Sequence, residues 1–109
     1  MIIKILKRDG RIEFFNKQKI ADAIFKAAQA CGGKNRELSA ELAELVVKAA
    51  EVKFVDKIPS VEDIQDLVEE VLINEGHAQT AKAYILYRER RQEARKISAL
   101  IGETSELFT

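Results

Sequence analysis

The sequence predicts a small α+β domain in which an antiparallel β-hairpin, or a sheet of three short strands, caps a four-helix bundle. Three observations predict it. An Asp-Gly dipeptide separates two β-branched runs near the amino terminus, four later segments carry apolar residues at helical spacing, and capping residues or glycines separate those segments. A chain of 109 residues fits one domain and can bury a core without a disulfide or a metal ion.

The hairpin is predicted from the first two runs of the chain. Residues 2–7 and 12–15 are rich in β-branched and aromatic residues, and Asp9-Gly10 lies between them. Because an Asp-Gly pair accepts the positive φ angles of a type I′ turn, we expect a two-residue connection.

Residues 53–59 could form a short third strand beside the hairpin, but the pattern there is ambiguous. This segment carries Phe54, Val55 and Ile58, which favour a strand. Pro59 lacks an N–H group and suits a strand end or a sheet edge.

The first two helices have recognisable start and stop signals. Asn16 can cap the first helix by accepting a backbone N–H, and Gly32-Gly33 ends it. The second helix can begin at either Asn35 or Ser39, and the sequence leaves both open.

The last two helices complete the bundle. Ser60 caps the third helix, and Gly76 ends it. The fourth begins near His77 and is expected to run towards Leu100. We therefore expect residues 1–96 to form the domain and residues 97–109 to form a tail or linker.

Composition excludes several classes of function. Eighteen basic and eighteen acidic residues balance, which argues against broad nucleic-acid binding. Cys31 and His77 are the only residues of their types, so a cysteine zinc site and a catalytic relay are not expected. No signal peptide or membrane span is predicted, and we expect a cytoplasmic protein that is not itself an enzyme.

One cluster of residues is typical of an anion site. Lys7 and Arg8 end the first strand, Asn16 and Lys19 open the first helix, and Glu13 lies between them. A helix N-terminus with nearby cations suits phosphate groups. An ordinary charged hairpin beside a capped helix is the alternative that the pattern leaves open.

A second basic cluster lies in the last helix. Arg88 and Arg91 are three residues apart and share a helix face, so they could reach the same phosphates. The alternative is a solvated helix end, with Glu89 and Glu93 as local partners.

Three motifs, in this order, resemble those of the ATP-cone, a nucleotide-binding regulatory domain. The first comprises residues 7–10, 15–16 and 19–24, the second residues 61–69, and the third residues 81–88. The resemblance covers nearly the whole chain.

The resemblance implies allosteric control of a ribonucleotide reductase. ATP in such a cone leaves the enzyme active, and dATP switches it off, usually by changing subunit assembly. Implied partners are the reductase catalytic domain and further copies of the cone. Residues 76–88 look most like the anaerobic ribonucleoside-triphosphate reductases. A degenerate cone that acts as a docking or oligomerisation module is the alternative function.

The resemblance also implies a nucleotide site, in which cations and Asn16 contact phosphates and sugar. Ile5 and Val61 would lie near the base, and Glu13 would accept from its amino group. Gln65 stands where some relatives carry a histidine that contacts the ribose. Mg²⁺ is expected with ATP or dATP, without a dedicated protein ligand. The implied site residues are Ile5, Lys7, Arg8, Glu13, Asn16, Lys19, Val61, Gln65, Arg88 and Arg91.

Overall fold

Two short strands and four helices make up the part of the chain that the structure describes. A computed structural model describes the backbone of residues 4–108 and the side chains of residues 4–100; residues 2 and 3 of the predicted first strand lie outside them. The predicted α+β class and the four helices are confirmed. The elements are β1 (Lys4–Leu6), β2 (Ile12–Phe14), α1 (Lys17–Ala30), α2 (Arg36–Lys53), α3 (Val61–Asn74) and α4 (Ala78–Phe108).

The hairpin forms as predicted, but its turn differs. Lys7 N–H donates to the Arg11 carbonyl (2.7 Å) and Gly10 N–H to the Lys7 carbonyl (3.0 Å), so three residues form the loop. Gly10 has a φ of 87°, whereas Asp9 does not have a positive φ. Asp9 instead accepts from the backbone and guanidinium of Arg11. The prediction of a two-residue type I′ turn is therefore wrong, and the loop matches the three-residue class that ends in a left-handed glycine.

The third strand, which the sequence left open, does not form in the part of the chain described, where the sheet has two strands. α2 extends to Lys53, and Phe54 N–H still donates to a helical carbonyl while its ring is buried in the core. What remains of the predicted pairing is a single parallel bridge between Leu6 and Ser60, with Leu6 N–H donating to the Pro59 carbonyl at 2.9 Å. Pro59 has no N–H to return, so the ladder cannot continue there.

Polar side chains cap the N-termini of three helices, as predicted. Asn16 accepts from a backbone N–H in the first turn of α1. Asn35, rather than Ser39, caps α2. At α3, Ser60 and Asp63 accept from each other's backbone N–H groups at 3.0 Å, which forms a capping box.

The helices pack in a ring in which α1 contacts α2 and α4, while α3 contacts α2 and α4. Their apolar stripes meet at the centre of this ring. The most deeply buried side chains there include Ile24, Ala43, Val46, Ala50, Val68 and Leu72. This core fixes the helix ends on which the hairpin rests.

The last helix is longer than predicted. It runs to Phe108, although every side chain from residue 89 to residue 100 is exposed. The predicted tail, residues 97–109, thus continues α4 through residue 108. The side chains beyond residue 100, and the whole of Thr109, are not among the described parts of the chain. The division of the chain after residue 96 stays a prediction.

The capping box gives a direct test of the fold. Ser60→Ala removes the acceptor for Asp63 N–H and is expected to lower the free energy of unfolding by about 1 kcal/mol. Urea unfolding followed by circular dichroism measures the loss. Ser98→Ala, on the exposed part of α4, serves as the control and is expected to change little. Equal stability of the two variants would contradict this account.

Candidate functional site

A pocket of about 430 Å³ opens between the hairpin, α1, α3 and α4. Nine of the ten residues predicted for the site line it, although they are spread across most of the chain. These nine are Ile5, Lys7, Arg8, Glu13, Asn16, Lys19, Val61, Gln65 and Arg91. The hairpin and the starts of α1 and α3 bring the first eight together, and α4 supplies the ninth.

The hairpin side of the pocket carries Lys7 and Glu13. Glu13 lies in β2, whereas β1 ends at Leu6, so Lys7 and Arg8 follow the first strand instead of ending it as predicted. The Lys7 ammonium is 3.9 Å from the Glu13 carboxylate, which also lies 3.3 Å from the Arg11 guanidinium. Glu13 is thus held near the pocket by two cations and keeps oxygen lone pairs for a further donor.

Arg8 connects the hairpin to α3. Its Nε lies 2.6 Å from a Glu62 carboxylate oxygen, and its Nη2 donates to the Gln65 side-chain oxygen at 3.4 Å. Two members of the predicted site, Arg8 and Gln65, are therefore in direct contact. Glu62, which was not predicted as a site residue, pairs with this guanidinium at the edge of the pocket.

Positive charge is in excess around the pocket. Among the residues whose side chains are described, six cationic side chains and two carboxylates line it. Lys19 and Lys26 of α1 have no ion-pair partner among residues 4–100. Lys19 lies in the first turn of α1, where a cation and the backbone N–H groups together attract anions, so the charge of the pocket suits a polyphosphate.

The pocket also has an apolar side. Ile64 and Val68 of α3 line it beside the rings of Tyr84 and Tyr87 from α4. The Arg91 guanidinium lies 5.8 Å from the centre of the Tyr87 ring. Together with Ile5 and Val61, these side chains give the pocket an apolar surface on which an aromatic ligand group can pack while charged groups face the cations.

Arg88, the tenth predicted residue, does not line the pocket. Its Nη1 donates to Asp66 at 2.8 Å and to Glu69 at 2.7 Å. These two carboxylates lie three apart on the face of α3 that meets α4, so they hold Arg88 at the helix interface. Of the two arginines that the sequence suggested for the phosphates, the structure brings only Arg91 to the pocket.

Sequence reasoning missed two cations in the lining, Lys26 and Arg95. Each has a helical signal: Lys26 is seven residues after Lys19, and Arg95 is four residues after Arg91. Both spacings place side chains on one helix face. That signal was available, but only the packing decides which face meets the pocket.

A second cavity, of about 380 Å³, lies at the opposite end of the bundle. It is formed by the end of α1 and the starts of α2 and α4. Its lining includes Cys31, Lys34 and His77, but none of the ten predicted residues. With a single lysine, it offers much less positive charge to an anion than the first pocket.

Comparison with known families gives a match to the ATP cone domain over residues 3–93. The vitamin B12-dependent ribonucleoside-diphosphate reductase of Thermoplasma acidophilum is 41% identical over 112 residues, which cover 98% of the chain and 14% of that protein. The corresponding reductase of Mycobacterium tuberculosis is 36% identical, over 95% of the chain and 14% of its own length.

The anaerobic ribonucleoside-triphosphate reductase of Salmonella typhimurium is 34% identical, over 84% of the chain and 12% of its own length. The relatives therefore include the anaerobic reductases that the sequence resembles, and also B12-dependent reductases, which it did not single out. The chain spans about a seventh of the length of these relatives.

Tyr84, which lines the pocket, makes the stability of the domain depend on pH in a measurable way. Burial raises the pKa of its hydroxyl from 10.0 to about 12, with the Arg88 charge opposing. In the unfolded chain the proton leaves near pH 10, so between about pH 10 and 12 the folded state binds more protons. The free energy of unfolding should therefore fall across this window as pH rises, by about 2 kcal/mol.

Urea unfolding at several pH values would measure this loss in the wild type and in Tyr84→Phe. The variant lacks the titrating hydroxyl and should lose less stability across the same window. Parallel pH profiles for the two proteins would contradict the assignment.

Proposed function

Because the chain belongs to the ATP-cone family, we propose that it binds ATP or dATP and regulates the overall activity of a ribonucleotide reductase. The observation that carries this proposal is the pocket, where six cations surround a space with an apolar, aromatic side. Its volume of about 430 Å³ suits a ligand of nucleotide size. A nucleoside triphosphate matches both halves, since it joins an aromatic base to a chain of phosphates.

The proposed orientation of the nucleotide is the one that the family resemblance implies. The phosphates lie towards Lys19 and Arg91, and the base lies towards Ile5 and Val61. Glu13 is the acceptor for the amino group of adenine, because its carboxylate is held at the hairpin side by two cations.

Gln65 is the proposed ribose contact in place of the histidine of some relatives. Its side-chain oxygen already accepts from Arg8, so its amide nitrogen is the atom that remains for a ribose oxygen. The amide group would thus join the sugar to the phosphate-facing arginine.

Magnesium fits this site only together with the nucleotide. Residues 4–100 contain no group of three or more histidine, cysteine or acidic side chains that could hold a metal ion. Mg²⁺ usually keeps several waters and binds substrate phosphates. Phosphate oxygens and water would therefore hold the ion.

The proposed regulation works through assembly. ATP and dATP differ by one hydroxyl, so a switch between them needs two assembly states that bind the two ligands with different affinities. The proposed partners are a reductase catalytic domain and further cones, in the cytoplasm. No catalytic step is assigned to the chain itself. Within residues 4–108, no helix is long and apolar enough to span a membrane.

A docking module without a ligand is the second candidate function. Large apolar side chains are exposed on the hairpin and near the end of α2; Phe14 and Val52 are each 79% exposed, and Val55 is 75% exposed. Such side chains can contribute to a protein interface. This candidate predicts contact with another protein that does not depend on nucleotide.

Titration calorimetry with ATP and with dATP, each with Mg²⁺, separates the two candidates when molecular mass is followed by light scattering. The regulatory proposal expects saturable binding of both nucleotides and a change in mass with dATP only. Absence of binding for both would reject the regulatory proposal and leave the docking module.

Lys19→Ala tests the position of the phosphates. Loss of an unpaired ammonium at the pocket should weaken ATP binding at least tenfold, on the order of 1.4 kcal/mol or more, without unfolding the protein. Lys82→Ala, which removes an exposed lysine of α4 outside the pocket, is the matched control. Wild-type affinity in Lys19→Ala would contradict the assignment of this residue.

A further inference from the structure

The segment of α4 from residue 89 to residue 100, called the projecting segment below, has an unusual position for a helix in a small domain. All of its side chains are exposed; Ile97 and Leu100 are 52% and 63% exposed. Most helices in proteins are stabilised by packing of an apolar face, and isolated helices of this length are marginal in water. The helicity of this segment is therefore sensitive to any added contact.

Two arginines of this segment nevertheless line the nucleotide pocket. Arg91 and Arg95 are four residues apart and so lie on one face of α4, and they line the same pocket as the hairpin residue Arg8. Like charges at this spacing destabilise a helix. Two cations on the projecting segment thus meet a third from the hairpin at one edge of the pocket.

The electrostatics of Arg95 agree with this geometry. Desolvation lowers the pKa of its guanidinium, the charges of Arg8 and Arg91 lower it further, and Glu62 opposes them. Glu62 is already paired with Arg8 at 2.6 Å. One carboxylate therefore faces three guanidinium groups, and the cluster is short of negative charge.

We propose that Arg95 is a further phosphate-binding residue and that phosphate bound between Arg8, Arg91 and Arg95 stabilises the projecting segment of α4. The anion replaces repulsion between the two α4 arginines by shared hydrogen bonds. It also links this segment to the hairpin, which has no direct ion pair with it in residues 4–100.

This inference rests on the proposed nucleotide function and adds an output to it. Nucleotide binding in the pocket then changes how ordered this part of α4 is. The exposed faces of the helix are available to other parts of an assembly. Adenosine, which lacks phosphates, would fill the apolar side of the pocket without producing this change.

Amide hydrogen exchange measures the order of the segment directly. On the 109-residue chain, saturating Mg-ATP should slow exchange of residues 92–100 by about fivefold or more, as expected for about 1 kcal/mol of added helix stability. Adenosine should leave these rates unchanged.

Arg95→Gln removes the charge and keeps a good helix former. ATP affinity should fall about three- to tenfold, and saturating ATP should no longer slow exchange of residues 92–100. Arg90→Gln, on the same helix but outside the pocket lining, is the matched control and should behave as the wild type.

The possible failures are distinguishable. If ATP binds the wild type and leaves exchange in residues 92–100 unchanged, the inference is overturned and the nucleotide function stands. Wild-type affinity and protection in Arg95→Gln would likewise overturn it. If ATP does not bind the wild type, the nucleotide function and the inference are both overturned.

Discussion

The attachment of the hairpin to the start of α3 is the contact on which the pocket depends. A two-stranded hairpin is marginally stable alone, so β1 and β2 need a partner. Leu6 N–H supplies one link by donating to the Pro59 carbonyl, and Arg8 supplies another through Glu62 and Gln65. The capping box of α3 fixes the backbone to which Leu6 binds. Without this attachment, the hairpin residues of the pocket would not face α1 and α4.

The charges of the domain are arranged in two different ways. At the interface of α3 and α4, Arg88 is matched by Asp66 and Glu69, so its charge is satisfied within the fold. Around the pocket, the cations outnumber the carboxylates, and Lys19 lies beside the start of α1 without an ion pair in the described chain. The first arrangement supports packing of the bundle. The second leaves a positive potential that the nearby carboxylates balance only in part, which is typical of a binding site.

Local signals predicted the helices well, because caps and apolar periodicity act within a few residues. Asn16 and Ser60 cap helices as expected, since each bonds only to its own first turn. The third strand failed because residue 54 could either pair with β1 or continue α2, and burial of its ring decided between them. The cation at residue 95 was missed for a related reason. Spacing shows which residues share a helix face, but only the packing of α4 against the other elements shows where that face points.

Arg8 contacts both Glu62 and Gln65, and this affects the free energy with which any anion binds in the pocket. The guanidinium that would meet the anion is already paired with Glu62, and that pair also helps to hold the hairpin. An anion that draws Arg8 away must therefore compete with an internal carboxylate and loosen the hairpin as it binds. Since both residues are partly exposed, the competition is weak and is screened by salt. Glu62 thus competes with an incoming anion for Arg8, and the strength of this competition depends on ionic strength.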